Sequence, residues 1–260
     1  MTSAQQPRRI KWKQIAPIIV ALIGATAVIL TAIINKSQPQ ALTLSPTATS
    51  IAPQATAFSS LTATPLTPQL TLTTSSSAPY GGTLALDDPL KDNSKSYGWD
   101  ETEAHCTFSG GAYHVSTSKP IGYECNTNSS ATDFSNFAYQ ITMKIVQGSQ
   151  GGICFRFTAN NQSGYCFVLD LNGHYVLETV HYDNLVILKS GQSKYFFPGS
   201  GASNQIAALA KGNEIDLFIN GHFINSTNDS SLPHGQIGVF IGCKGVFTDV
   251  EFTDAKVWIL

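Results

Sequence analysis

From about residue 80 onward, apolar and polar side chains alternate in short runs, and no stretch keeps a period near 3.6 between helix caps. Ile153, Phe155 and Phe157 interleave with Cys154, Arg156 and Thr158, and Tyr165, Phe167 and Leu169 interleave with Cys166, Val168 and Asp170. A period of two predicts strands whose odd-numbered side chains face a core, while the mixed even set faces elsewhere. Asn172-Gly173 joins the runs 165–170 and 174–180, and Asn220-Gly221 joins 214–219 to 222–225. Asn-Gly between apolar runs is the strongest short-range hairpin signal, because both residues tolerate positive φ. Further runs at 137–146, 153–158, 185–188, 206–210, 236–241 and 250–259 complete the series. Many short strands without helical crossovers predict an all-β fold of two packed antiparallel sheets.

The pattern before residue 80 is of another kind. Residues 15–34 run for twenty positions without a charge, directly after Arg8, Arg9, Lys11 and Lys13. As a helix the run is about 30 Å long, the thickness of a bilayer's hydrocarbon core. Basic residues on one flank stay cytoplasmic, so the expected order is a cytoplasmic tail (1–14), a transmembrane helix (15–35) and everything later outside the cell. A cleaved signal peptide also starts with basic residues, but its apolar region is shorter and ends at a small-x-small site. This run ends in Ala32-Ile33-Ile34-Asn35-Lys36, which offers none, and a retained anchor is the favoured expectation. Residues 36–79 then read as a linker. The 43 residues from Ser37 to Pro79 hold 18 Ser or Thr, 6 Pro and no charge, too little apolar surface to offset chain entropy.

Charge and cysteines sharpen the picture of the expected extracellular domain, 80–260. It carries 10 basic and 17 acidic residues, a net of −7, which argues against a nucleic-acid partner and leaves sugars, proteins and cations open. All five cysteines lie in it, where disulfides persist in an oxidising space. Cys106 and Cys125 bracket an expected hairpin in a polar region, and a bridge there would contribute roughly 3 kcal/mol by restricting the unfolded chain. Cys154 and Cys166 share parity on adjacent strands. They bridge if the register sets them opposite; otherwise they are two small thiols that suit a core. Cys243 is left over.

Gly151-Gly152-Ile153-Cys154-Phe155-Arg156, then Gly164-Tyr165-x-Phe167, then Asn172-Gly173-x-Tyr175-x-Leu177 form a connected pattern. Gly212 to Gly221, Gly235-x-Ile237-Gly238 and Val250-x-Phe252-x-Asp254 extend it. Over about residues 84–259 the chain resembles the concanavalin A-like lectin/glucanase superfamily, nearest to laminin-G-like and keto-disaccharide hydrolase-like domains of unassigned function. The resemblance implies a jelly-roll sandwich. Its motifs are mostly structural glycines and core positions, which bear on fold more than on activity.

The resemblance also sets a test for catalysis, since glycosidases on this fold carry Glu-x-Asp-x-x-Glu on one strand. Glu214 and Asp216 reproduce the first two acids, but the third position is Ile219, which cannot donate a proton. The expectation is therefore a non-enzyme with no catalytic residues. The six histidines show no His-x-His or His-Glu-x-x-His spacing. No cofactor is expected; Asp87, Asp88 and Asp92 leave calcium open, although acids in a turn are more often simply hydrated. A sugar site needs aromatic platforms and a few fixed hydrogen-bonding groups. Tyr182, Tyr195 and Phe196 lie in or near loops and are the candidate platforms, while Arg156 and Asp170 on the non-core face are the candidate fixed charges. Arg156 has a second reading as a group that only bridges strands. The expected function is a membrane-anchored extracellular binding module for carbohydrate or a cell-surface glycoconjugate. The alternatives are a glycoside-acting enzyme on the same fold and a structural or adhesive protein-interaction domain.

Overall fold

The computed structural model describes residues 79–120, 122–158, 163–181 and 184–260. The expected tail and anchor, and all of the linker except residue 79, lie outside these. Among the described residues no helix is long and apolar enough to cross a membrane.

The described chain is built almost wholly of strands. The first five are β1 (Thr83–Asp88), β2 (Cys106–Ser109), β3 (Ala112–Thr117), β4 (Tyr123–Asn126) and β5 (Phe137–Gln147). Then come β6 (Gln150–Phe157), β7 (Ser163–Asp170), β8 (His174–His181), β9 (Asn184–Gln192) and β10 (Ser203–Lys211). β11 (Glu214–Ile219), β12 (His222–Asn228), β13 (Gln236–Gly242) and β14 (Thr248–Ile259) complete the set. One sheet has eight strands, in the order β12-β11-β10-β5-β14-β3-β2, with β1 also paired to β14. The other has six, in the order β4-β13-β6-β7-β8-β9. Every pairing is antiparallel, and the two sheets form the sandwich that the alternation predicts, of the jelly-roll type that the resemblance implies.

Both Asn-Gly pairs turn hairpins. Asn220 and Gly221 take φ of 50° and 75° between β11 and β12, and Gly173 takes 77° between β7 and β8. These left-handed values match the twist of the flanking strands. The core between the sheets gathers the odd-numbered side chains of β5 to β7, including Phe137, Tyr139, Ile141, Ile153, Phe155, Tyr165 and Phe167.

Phe157 departs from the parity expectation. Arg156 sits at φ 50°, and the β13–β6 register shifts there, with Gln236 opposite Phe157 but Gly238 opposite Cys154. The bulge re-aims two side chains. Phe157 joins Cys154, Cys166, Val168, Val180 and Phe240 in a second apolar cluster on the outer face of the six-stranded sheet.

Two disulfides form. Cys154 and Cys166 are directly opposite on β6 and β7, with Cα atoms 4.1 Å apart. Cys106 bridges Cys125 at a Cα separation of 6.1 Å, but not in the core-poor setting expected from the sequence. Both are fully buried in the main core, and because β2 belongs to the large sheet and β4 to the small one, the bridge ties the two layers together. Cys243 is free and buried, its thiol 2.7 Å from the Val246 carbonyl oxygen.

Candidate functional site

Strand register places one row of side chains across the outer face of the six-stranded sheet. Asn126 on β4 pairs with Gly238 on β13, Gly238 with Cys154 on β6, Cys154 with Cys166 on β7, and Cys166 with Glu178 on β8. Four inter-strand steps of about 4.8 Å give the row a length of about 19 Å. It reads as an amide, a gap, a cystine and an acid. The gap is obligatory, because a Cβ on Gly238 would lie 2.0 Å from Asn126 Oδ1 and 2.9 Å from the Cys125 carbonyl oxygen. Gln236 and Gln150, even-numbered on β13 and β6, flank the row on the same face.

These side chains share an uncommon property. Asn126 Oδ1 and Nδ2, Gln150 Nε2, Gln236 Oε1 and both carboxylate oxygens of Glu178 are buried without a hydrogen-bond partner. They are six of the eight such atoms among the described residues, so the unmet hydrogen-bonding capacity concentrates on one face. Native proteins pair nearly all buried polar atoms, so a cluster of unpaired ones marks this face as a candidate site. Glu178 is the extreme case. Val176 and Val180 lie two residues away on its own strand, and Cys166 and Ile187 lie opposite on the neighbouring strands. Burial alone pushes its carboxyl up to about 8, so at neutral pH it is mostly a neutral acid able to donate a hydrogen bond.

The residues singled out from the sequence are placed differently. Arg156 turns inward at the bulge instead of facing out. Its Nη1 donates to the Leu232 carbonyl at 3.1 Å, and its Nη2 donates to those of Ser135 and Gly212 at 2.5 and 3.0 Å. It is 1 % exposed and clips three connections together, which is the bridging reading carried further. Asp170 does lie on the outer face, but it is spent on the β7–β8 turn. Its Oδ1 accepts from the backbone N–H of Asn172 and His174 at 2.8 and 3.0 Å, and Oδ2 lies 3.0 Å from His174 Nδ1. Phe196 is no platform: it is buried in the core against Gly173, where an added Cβ would lie 2.7 Å from Phe196 Cβ and 3.1 Å from its ring. Its neighbour Phe197 is the exposed ring, at 59 %. Tyr195 is partly exposed and stacks on His222 at 3.9 Å, with Lys194 Nζ 5.1 Å from its centroid. Tyr182 lies outside the described residues.

The incomplete glycosidase motif lies on the other sheet. In β11, Ile215, Leu217 and Ile219 enter the core, while Glu214 is exposed and Asp216 is half-buried on the alternate face. Asp87, Asp88 and Asp92 do not converge. Asp88 accepts from Leu90 N–H and Trp99 Nε1 at 2.9 and 3.1 Å, Asp92 accepts from Ser94 N–H at 2.9 Å, and Asp87 lies 3.8 Å from Lys256 Nζ. Among the described residues no group of three or more His, Cys, Asp or Glu is placed to hold a metal ion.

Sequence reading passed over Asn126, Gln150, Gln236 and Glu178. Only Glu178 carried a signal, an acid flanked at ±2 by valines that share its strand face. The amides carried none, because a glutamine or asparagine in a strand is ordinary until its register partner proves to be a glycine.

No protein-family model matches the chain, and no curated protein matches it. Solved structures do. The carbohydrate-binding module CBM66 of Bacillus subtilis superposes with a TM-score of 0.53 at 14 % identity, over 62 % of this chain and 95 % of its own. A Bacillus licheniformis β-glucanase gives 0.52 at 9 % identity, over 69 % and 99 %. A Bacillus subtilis protein of unknown function with a galectin-like fold gives 0.51 at 13 % identity, over 68 % and 96 %. At such identities the likeness is one of fold alone, a sandwich of two antiparallel sheets.

Proposed function

We propose that residues 80–260 form a non-catalytic binding module for carbohydrate or a glycoconjugate, held outside the cell by residues 15–35 in the membrane and spaced from it by residues 36–79. The observation that carries this reading is the row of buried, unpartnered amide and carboxyl groups across the outer face of the six-stranded sheet. A saccharide supplies what these groups lack, since its hydroxyls both donate and accept. The likeness of fold to a carbohydrate-binding module and a β-glucanase supports the ligand class. The net charge of −7 over residues 80–260 speaks against nucleic acid. The reading needs no cofactor.

A second reading draws on Glu178 itself, because a carboxyl held up to about 8 is suited to give a proton to a leaving oxygen. Hydrolysis needs a second carboxylate within about 5–9.5 Å of the first. Asp170 is displaced from the Glu178 row by four residues of β7, about 13 Å of strand, and is engaged by its own turn and His174. That separation favours binding over hydrolysis. A glycan array probed with the full-length chain is the direct test: retention of a defined glycan set without release of reducing ends supports a binding module. Hydrolysis abolished in Glu178→Gln replaces it with an enzyme, and retention of no glycan removes the carbohydrate reading.

A further inference from the structure

Two of the buried charged groups of the six-stranded sheet are handled in opposite ways. Arg156 is surrounded by three carbonyl acceptors, whereas Glu178 has no donor for either oxygen. A buried carboxyl left without a partner forfeits its solvation and gains nothing in return. Of the groups a saccharide can offer, a hydroxyl supplies a hydrogen bond but no charge. An ammonium supplies both, and charge-assisted hydrogen bonds are roughly twice as strong as neutral ones. The field of the domain points the same way, because a net charge of −7 draws cations to the surface and repels uronate, sialate or phosphate groups. At the far end of the row, Asn126 leaves both an acceptor and a donor free, and Gln236 leaves an acceptor free, which suits hydroxyls of either polarity.

We propose that the Glu178 end of this row takes the protonated amine of an amino sugar, so that the module selects saccharides with free, unacetylated amino groups. This rests on the carbohydrate reading above and names its ligand class. The proton balance is fixed by the chemistry: the ammonium keeps its three protons, and the Glu178 carboxylic acid releases one to solvent as it becomes the carboxylate partner. Affinity therefore rises with pH until the amine itself loses its proton. Other titratable groups can add to the profile. Asp170 and His174 pair at the β7–β8 turn, Glu124 lies on β4 and Lys189 on β9. The Glu178→Gln comparison isolates the one invoked.

The experiment uses the full-length chain in detergent and matched β-linked oligomers of glucosamine, N-acetylglucosamine and glucose of one length, with affinities measured by calorimetry. The glucosamine oligomer is expected to bind about tenfold tighter than either neutral oligomer near pH 7, with a preference that shrinks toward about pH 5.5. Glu178→Gln is expected to bring the three affinities within roughly threefold of one another, whatever it does to their common level. Equal affinities in the wild type, or a preference that survives Glu178→Gln, overturn the inference and leave the carbohydrate reading standing. Binding of none of the three by the wild type overturns both.

Discussion

The outer faces of the two sheets treat polar side chains in contrasting ways. On the eight-stranded sheet they satisfy one another. Lys144 Nζ lies 2.6 Å from Glu251 Oε2, His114 Nδ1 lies 3.0 Å from Asp249 Oδ1, and the Tyr80 hydroxyl donates to Gln140 Oε1 at 3.1 Å beside Phe218 and Trp258. On the six-stranded sheet, Asn126, Gln150, Gln236 and Glu178 are buried and short of partners. The first face pairs these polar groups side chain to side chain. The second leaves buried polar groups unpaired at a cost to stability.

The largest loss of stability should come from Arg156, both of whose terminal nitrogens find carbonyl acceptors. Arg156→Met strands three carbonyls and is expected to destabilise the domain by about 3 kcal/mol or more, read as a lower denaturant midpoint. A loss below about 1 kcal/mol would mean that the clip is incidental.

Glu178 should behave in the opposite sense. Its carboxyl holds its proton up to about 8 in the fold, against an ordinary value of 4.5, so the native state binds more protons than the unfolded chain between these limits. Stability is therefore unaffected by Glu178 below the unfolded value and falls as pH rises through the window toward about 8. Glu178→Gln removes that slope. It is expected to stabilise the ligand-free domain by up to about 4 kcal/mol at about pH 8, and by little at about pH 4.5, in thermal melts at the two pH values. A mutant less stable than wild type at both would show that Glu178 is paired after all.

On the large sheet the expected effects are small. Lys144 and Glu251 are only partly buried, at 31 % and 25 % side-chain exposure, and a double-mutant cycle should return a coupling of about 0.2–1 kcal/mol that weakens in salt. A coupling of several kcal/mol would erase the contrast between a solvated face and a desolvated one.

Much of the scaffold was legible because it follows from local rules. Alternation set the strands, Asn172-Gly173 and Asn220-Gly221 set two hairpins, and matching parity allowed the Cys154–Cys166 bridge. What escaped the sequence was non-local or conformational. The left-handed backbone at Arg156 reverses two side chains, which sent Phe157 outward and the guanidinium inward. Phe196 looks like a loop aromatic until Gly173 opens a seat for it in the core. The candidate site depends on register across five strands, and no spacing along the chain reveals that Asn126, from one end of the domain's sequence, shares a row with Glu178.

Saccharide binding by two double variants of the full-length chain, Asn126→Ala/Gln236→Ala on the small sheet and Lys144→Met/Glu251→Met on the large one, compares the faces directly. The account predicts a loss of affinity of about tenfold or more for the first and none beyond about twofold for the second. Retained affinity in the first, or an equal loss in both, contradicts the assignment of the six-stranded sheet as the binding face.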